Sequence, residues 1–324
     1  MKTGSAIGGG SVSRGFNHLL NCLKKKRLVK KKMLVHSGVG MSAVLFGLLV
    51  TTNVARGDAF YVADTYRIAK IAANGVTTTY IAAPNFGLND PLGMAIDRSG
   101  NLFVSNGAGN DIVKIAPNGT GASFIYTDIH VNGVATDASN NVYLAETLGN
   151  TILKVSPSGV PTVLTDQVNR PESLAVDAAG NVYSANHDGT VAKVTPGGFV
   201  STIATGLISP DGIALNGNGN IYVSDFGNNS ISKIAPDGTI SIFASGLSSP
   251  HGIVFGSNGD LYVVNGGNVS EITPNGVVTP FASGFVSQSG DIVVQSVPEP
   301  SMVMLFSGVG VGLLRRSRRS RRHR

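Results

Sequence analysis

Short apolar runs, each of strand length, fill the middle of the chain. "VYLAE" (142–146) is followed by "TILKV" (151–155), "VPTVL" (160–164) and "SLAVD" (173–177), with turn residues between them. Four such runs recur in each stretch of about forty residues, and their length and Val/Ile/Tyr content predict strands. Asn74–Gly75, Asn118–Gly119, Asp237–Gly238 and Asn275–Gly276 carry the Asn/Asp-Gly chemistry of tight hairpins. "RSGN", "AAGN", "GNGN" and "SNGD" punctuate a second hairpin. The run typified by "GIALN" is apolar with small residues, which suits an inner strand crowded round an axis.

The pattern repeats. "FYVADTYRIAKIAANG" starts at residue 60, and related segments start at 102, 142, 182, 221 and 261, a spacing of 39 to 42 residues. That is the period of a propeller blade. The array opens on the second strand type, "FYVAD", and closes on a first strand, "GDIVV" (290–294). A C-terminal strand that completes the first blade closes the ring and removes its free edges. The expected fold is therefore all-β, a six-bladed β-propeller over 60–296. An N-terminal extension (1–59) precedes it and a tail (297–324) follows.

Composition fits. Glycine is abundant at 42 residues with no collagen period, and Trp is absent. The formal charge of +6 belongs to the ends: ten Lys/Arg lie in 1–59 and seven Arg in 297–324. Residues 60–296 hold eight Lys/Arg against seventeen Asp/Glu, a net charge of −9. Such a surface repels phosphate, so nucleic acid is excluded as a partner. The one cysteine, Cys22, lies in the extension, so no intrachain disulfide staples the fold.

"KKKRLVKKK" (24–32), an apolar stretch around Met41–Val50 and small residues at Gly57 and Ala59 predict a secretory signal peptide cut after Ala59. Met1 and Met33 both stand as translation starts.

Two resemblances follow from quoted residues. "PDGIALNGNGNIYVSDFGNNSISKIAPDG" (210–238) and "PLGMAIDRSGNLFVSNGAGNDIVKIAPNG" (91–119) resemble the NHL repeat, whose propellers include binding scaffolds, lyases and lactonase-type enzymes. The tail, with Pro298-Glu299-Pro300, an apolar run Met302–Leu314 and terminal arginines, is similar to a PEP-CTERM sorting signal. That resemblance implies an exosortase-type processing enzyme and a Gram-negative host making exopolysaccharide. It also implies export to the cell envelope with transient inner-membrane anchoring. Thirteen apolar residues make a helix of ~20 Å, short of a ~30 Å bilayer core, and the arginines favour the cytoplasmic side.

The residue before each inner-strand glycine (Ser173 replaces the glycine after Glu172) should line one mouth of the axis: Leu92, Asn132, Glu172, Asp211, His251 and Ser289. This set varies while its frame repeats. Glu172, Asp211 and His251 offer two carboxylates and an imidazole, suited to acid/base work or to a divalent cation, Ca²⁺ or Zn²⁺. Lactonase-type propellers hold a metal with Glu, Asn and Asp, and Asn132, Glu172 and Asp211 are similar in type. Streptogramin-lyase-like propellers use axial histidines, of which this ring has one. His130 lies nearby in sequence, and His187 reads as a solvated loop residue. Asp64, Asn106, Glu146, Asn186, Asp225 and Asn265, ending the second strands, read as turn-bonding residues. Lys70, Lys114, Lys154, Lys193 and Lys233 recur at one place and read as a solvated ring. With no complete catalytic set, the leading expectation is a monomeric, exported binding or scaffold propeller that meets polysaccharide or surface protein. The alternative is an extracytoplasmic metal-dependent lactonase or lyase using Glu172, Asp211 and His251.

Overall fold

The computed structural model describes residues 57–82, 85–127, 129–286 and 290–296. The N-terminal basic and apolar segment, Ser289 and the whole tail, Pro298, Glu299 and Pro300 included, lie outside them. Among the described residues no helix is long and apolar enough to cross a membrane.

Six four-stranded antiparallel sheets form the six blades. Blade five shows the unit: Pro210–Leu215 innermost, then Ile221–Asp225, Ser230–Ile234 and Ile240–Ser245. Blade one is assembled from both ends of the array. Its inner strand Ile292–Gln295 pairs antiparallel with Ala59–Asp64, Phe60 opposite Val294 and Val62 opposite Ile292. The expected closure is therefore present, and the first edge is covered.

Six apolar cores lie between neighbouring blades. At the closing seam Phe60, Val62, Ala69 and Ile71 of blade one pack on Tyr262, Val264 and Val269 of blade six, with Ile292 among them. Alternation along each strand supplies one face to each neighbouring core. The turns that send the chain back outward use left-handed glycines, such as Gly75 at φ 79° and Gly238 at φ 86°.

The strand-end Asp/Asn set does more than bond its own turn. Asn106 Oδ1 accepts the Asn89 N–H at 2.7 Å, and Asp225 Oδ1 that of Ile208 at 2.9 Å. Asn265 accepts from Ser248, and Asp64 from Val286. Each fixes the loop that carries the chain into an inner strand, which is where the mouth begins. The lysine column is likewise partly covered: Lys70, Lys114, Lys154 and Lys193 lie 5.2 to 5.6 Å over the rings of Tyr61, Phe103, Tyr143 and Tyr183.

Ala59 is buried inside the first strand opposite Gln295, and the Asp58 carboxylate accepts the Ser257 N–H. A cut after Ala59 would remove both anchors. A cut N-terminal to Gly57 leaves the sheet whole.

Candidate functional site

A register shift shapes the mouth. In blade five Pro210 pairs with Asp225 and Ile213 with Val223, so Asp211 and Gly212 together oppose Ser224. Blades two, three, four and six shift at the same place, at Leu92, Asn132, Glu172 and His251. A bulge of this kind bends the strand and re-aims a side chain. The backbone just before it is left-handed: φ is 59° at Asp90, 50° at Arg170, 53° at Ser209 and 52° at Ser249, each preceding a proline.

The sixth place differs from expectation. Ile292 faces Val62 as Ile253 faces Val263, so Asp291 is the counterpart of Gly252 and Gly290 that of His251. Gly290, rather than Ser289, holds the mouth place, and the inner glycine layer reads Gly93, Gly133, Ser173, Gly212, Gly252 and Asp291. The closing strand carries no proline frame, so Gly290 aligns falsely with the glycines by sequence alone. Asp291 is the cavity-lining residue missed there. Its only signal is a carboxylate at the head of an otherwise apolar strand.

A cavity of about 140 Å³ opens on the axis, lined by Leu92, Asn132, Glu172, Asp211 and Asp291 together with backbone of the glycine layer. Asn132, Glu172 and Asp211 are thus brought together as expected. His251 stands behind Asp211 and outside the lining: its Nδ1 is 3.0 Å from Asp211 Oδ2, and its ring centroid lies 5.0 Å from that of Phe226. Its side chain is 13% exposed, against 40% for Asp211. Glu172 is engaged twice, by the Asn132 amide and by His187, whose Nδ1 is 3.3 Å from Oε1. His187 is exposed as expected and also paired. Among the described residues Asn132 Oδ1 has no hydrogen-bond partner, so it can accept from a ligand. His130 is not part of the cavity wall.

Asp291 joins the cavity from below. Its Oδ2 accepts the Met94 N–H at 2.8 Å, and its Oδ1 accepts the Ile292 N–H at 2.8 Å. Burial pushes its carboxyl up to about 7, helped by the charge of Asp211 and opposed by the two amides. A Cβ at Gly252 would lie 2.5 Å from Asp291 Oδ1, so that glycine makes room for the carboxyl.

Among the described residues no three His, Cys, Asp or Glu side chains converge enough to hold an ion. The carboxylates are instead drawn into separate pairs with His187 and His251.

A ring of six blades with a carboxylate-lined axial cavity defines a six-bladed β-propeller with a pocket at one mouth. Residues 59–287 match the virginiamycin B lyase family, and the chain belongs to it. No curated protein sequence matches the chain. Among solved structures it is similar to a chain of a nidogen/laminin complex, with a TM-score of 0.66 and 16% identity over 74% of this chain and 100% of that one. It is also similar to a catalytically inactive virginiamycin B lyase from Staphylococcus aureus with quinupristin: TM-score 0.55, 18% identity, 71% and 86% covered. A gluconolactonase from Xanthomonas campestris gives a TM-score of 0.56 and 20% identity, with 60% and 76% covered. At these identities the likeness is one of fold.

Proposed function

We propose that the protein is an exported enzyme that opens cyclic esters by acid–base chemistry at the axial mouth. The observation that carries this is the Asp211–His251 pair at the edge of the axial cavity, in a chain of the virginiamycin B lyase family. Asp211 is open to a substrate, while His251 behind it holds the carboxylate in place. Such a base takes a proton from water attacking the ester carbonyl, which breaks the acyl C–O bond to acid and alcohol, or from the carbon next to the alkoxy carbon, which forms an alkene and expels the carboxylate. The Staphylococcus aureus and Xanthomonas campestris neighbours, named as a lyase and a gluconolactonase, support cyclic esters as the class to try.

The test is direct. Full-length protein is assayed for loss of a streptogramin-type macrolactone and of gluconolactone, with Asp211→Asn beside it. The wild type should open at least one, and the variant should lose about 10² to 10⁴ of the rate. Intact substrates in both assays would overturn the reading and leave a binding or scaffold role.

We also propose export through the N-terminal segment, with a cut N-terminal to Gly57. Release at Pro298-Glu299-Pro300 by an exosortase-type enzyme then leaves the propeller beside surface polysaccharide or protein. Mass spectrometry of the mature chain from its host should show both cuts. A mature protein that keeps its arginine tail would end this proposal.

A further inference from the structure

We propose that Asp291, the one carboxyl in the axial glycine layer, donates a hydrogen bond to the carbonyl oxygen of an ester seated in the mouth cavity. The inference rests on the ring-opening reading above and names the group that meets the developing negative oxygen.

Position comes first. Five blades place Gly93, Gly133, Ser173, Gly212 and Gly252 at this level, and only the closing strand adds a carboxyl. Asp291 lines the 140 Å³ mouth cavity and also the apolar cavity of about 290 Å³ on the other side of the layer. It thus forms the floor on which a substrate entering the mouth comes to rest. Its two oxygens already accept the Met94 and Ile292 amides, which fix the carboxyl plane.

The surroundings select the neutral acid. Blade two faces it with Gly93 and Met94, blade six with Gly252, and its own sheet with Ala63, whose N–H bonds the Asp291 backbone carbonyl at 3.0 Å. None of these carries charge. Across the cavity stand the carboxylates Asp211 and Glu172, and among the described residues no Lys, Arg or His lines the wall. Burial and Asp211 therefore hold the proton on Asp291 to about pH 7. An ionised Asp291 would repel the oxygen of an attacked ester, whereas the acid form donates to it. A carboxylic acid kept neutral by its site supplies this kind of oxyanion stabilisation.

The experiment compares kcat/KM from pH 5 to 9 for wild type, Asp291→Asn and Asp291→Gly. Wild-type kcat/KM should fall about tenfold per pH unit above about 7. Asp291→Asn keeps a donor, so its rate should hold level over that range. Asp291→Gly places there the residue that four of the other five blades carry, so it should fold, yet lose about 10² or more at pH 6. A Gly variant as fast as wild type, or a wild-type profile level from pH 6 to 9, would overturn the assignment. Asp211→Asn tests the ring-opening reading separately. Where the wild type shows no turnover, calorimetry with δ-valerolactam reads the same donor without chemistry. Its affinity should weaken about tenfold per unit above about pH 7 in wild type and stay constant in Asp291→Asn. A wild-type affinity that does not change with pH would sink the proposal.

Discussion

Asp291 occupies a position where the fold asks for no side chain, and its carboxyl should cost stability. The folded value of about 7 lies above the ordinary carboxylate value near 4. Below about pH 4 both folded and unfolded chains hold the proton, and the residue is neutral in the balance. As pH rises toward about 7 the unfolded chain releases its proton first, so stability falls; above about 7 the loss levels off. Three pKa units correspond to about 4 kcal/mol, and cavity water screens part of it, so a loss on the order of 2–4 kcal/mol is expected. Asp291→Gly should therefore raise the unfolding free energy by that amount at pH 8 and by less than about 1 kcal/mol at pH 4. Urea melts at the two pH values check this. An equal gain at both would mean that the carboxyl is not strained by ionisation. Natural sites commonly hold such a cost where chemistry needs the group.

At the level of strands and turns, most of the architecture is legible from one column of residues at a time. The Asn-Gly and Asp-Gly turns, the alternation and the period of 39 to 42 residues each point to a blade, and together they place Asn132, Glu172 and Asp211 at one mouth. What escapes is set by pairs of strands. A bulge is one residue of mismatch between partners, and neither partner's sequence displays it. The shift that re-aims Asp211, and the left-handed Ser209 before Pro210, appear only when Asp225 and Val223 are laid alongside. The closing strand lacks that frame, so its register slips by one when read alone, and Asp291 is taken for a follower of the mouth rather than its floor. The lysine column fails for a related reason. Periodicity shows that Lys114 recurs, but not that its neighbouring strands bring Phe103 and Phe124 beneath it. The convergence of Glu172, Asp211 and His251 on one ion is likewise a matter of side-chain direction. The structure pairs Asp211 with His251 and Glu172 with His187.

Over the whole molecule, closure of the ring and assembly of the site are one event. The mouth draws Asn132 from blade three, Glu172 from blade four, Asp211 from blade five and Asp291 from the strand that completes blade one. Without Ile292–Gln295 the strand Ala59–Asp64 loses its inner partner, Ile292 leaves the core shared with Tyr262 and Val264, and an edge rich in Phe60, Tyr61 and Val62 is bared. An uncovered apolar edge of this kind invites pairing with another chain. A chain ended at Val286 should therefore melt about 10 °C or more below the full chain and aggregate on concentration. A chain ended at Ser296, which keeps the closing strand, should melt within about 2 °C of it. A ligand spanning the mouth binds only the closed ring, so it should raise the melting temperature of the Ser296 chain in proportion to the logarithm of its concentration. The Val286 chain should gain nothing from the same ligand. Equal melting temperatures for the two truncations would show that the ring holds without its last strand, and would separate the stability of the propeller from the completeness of its site.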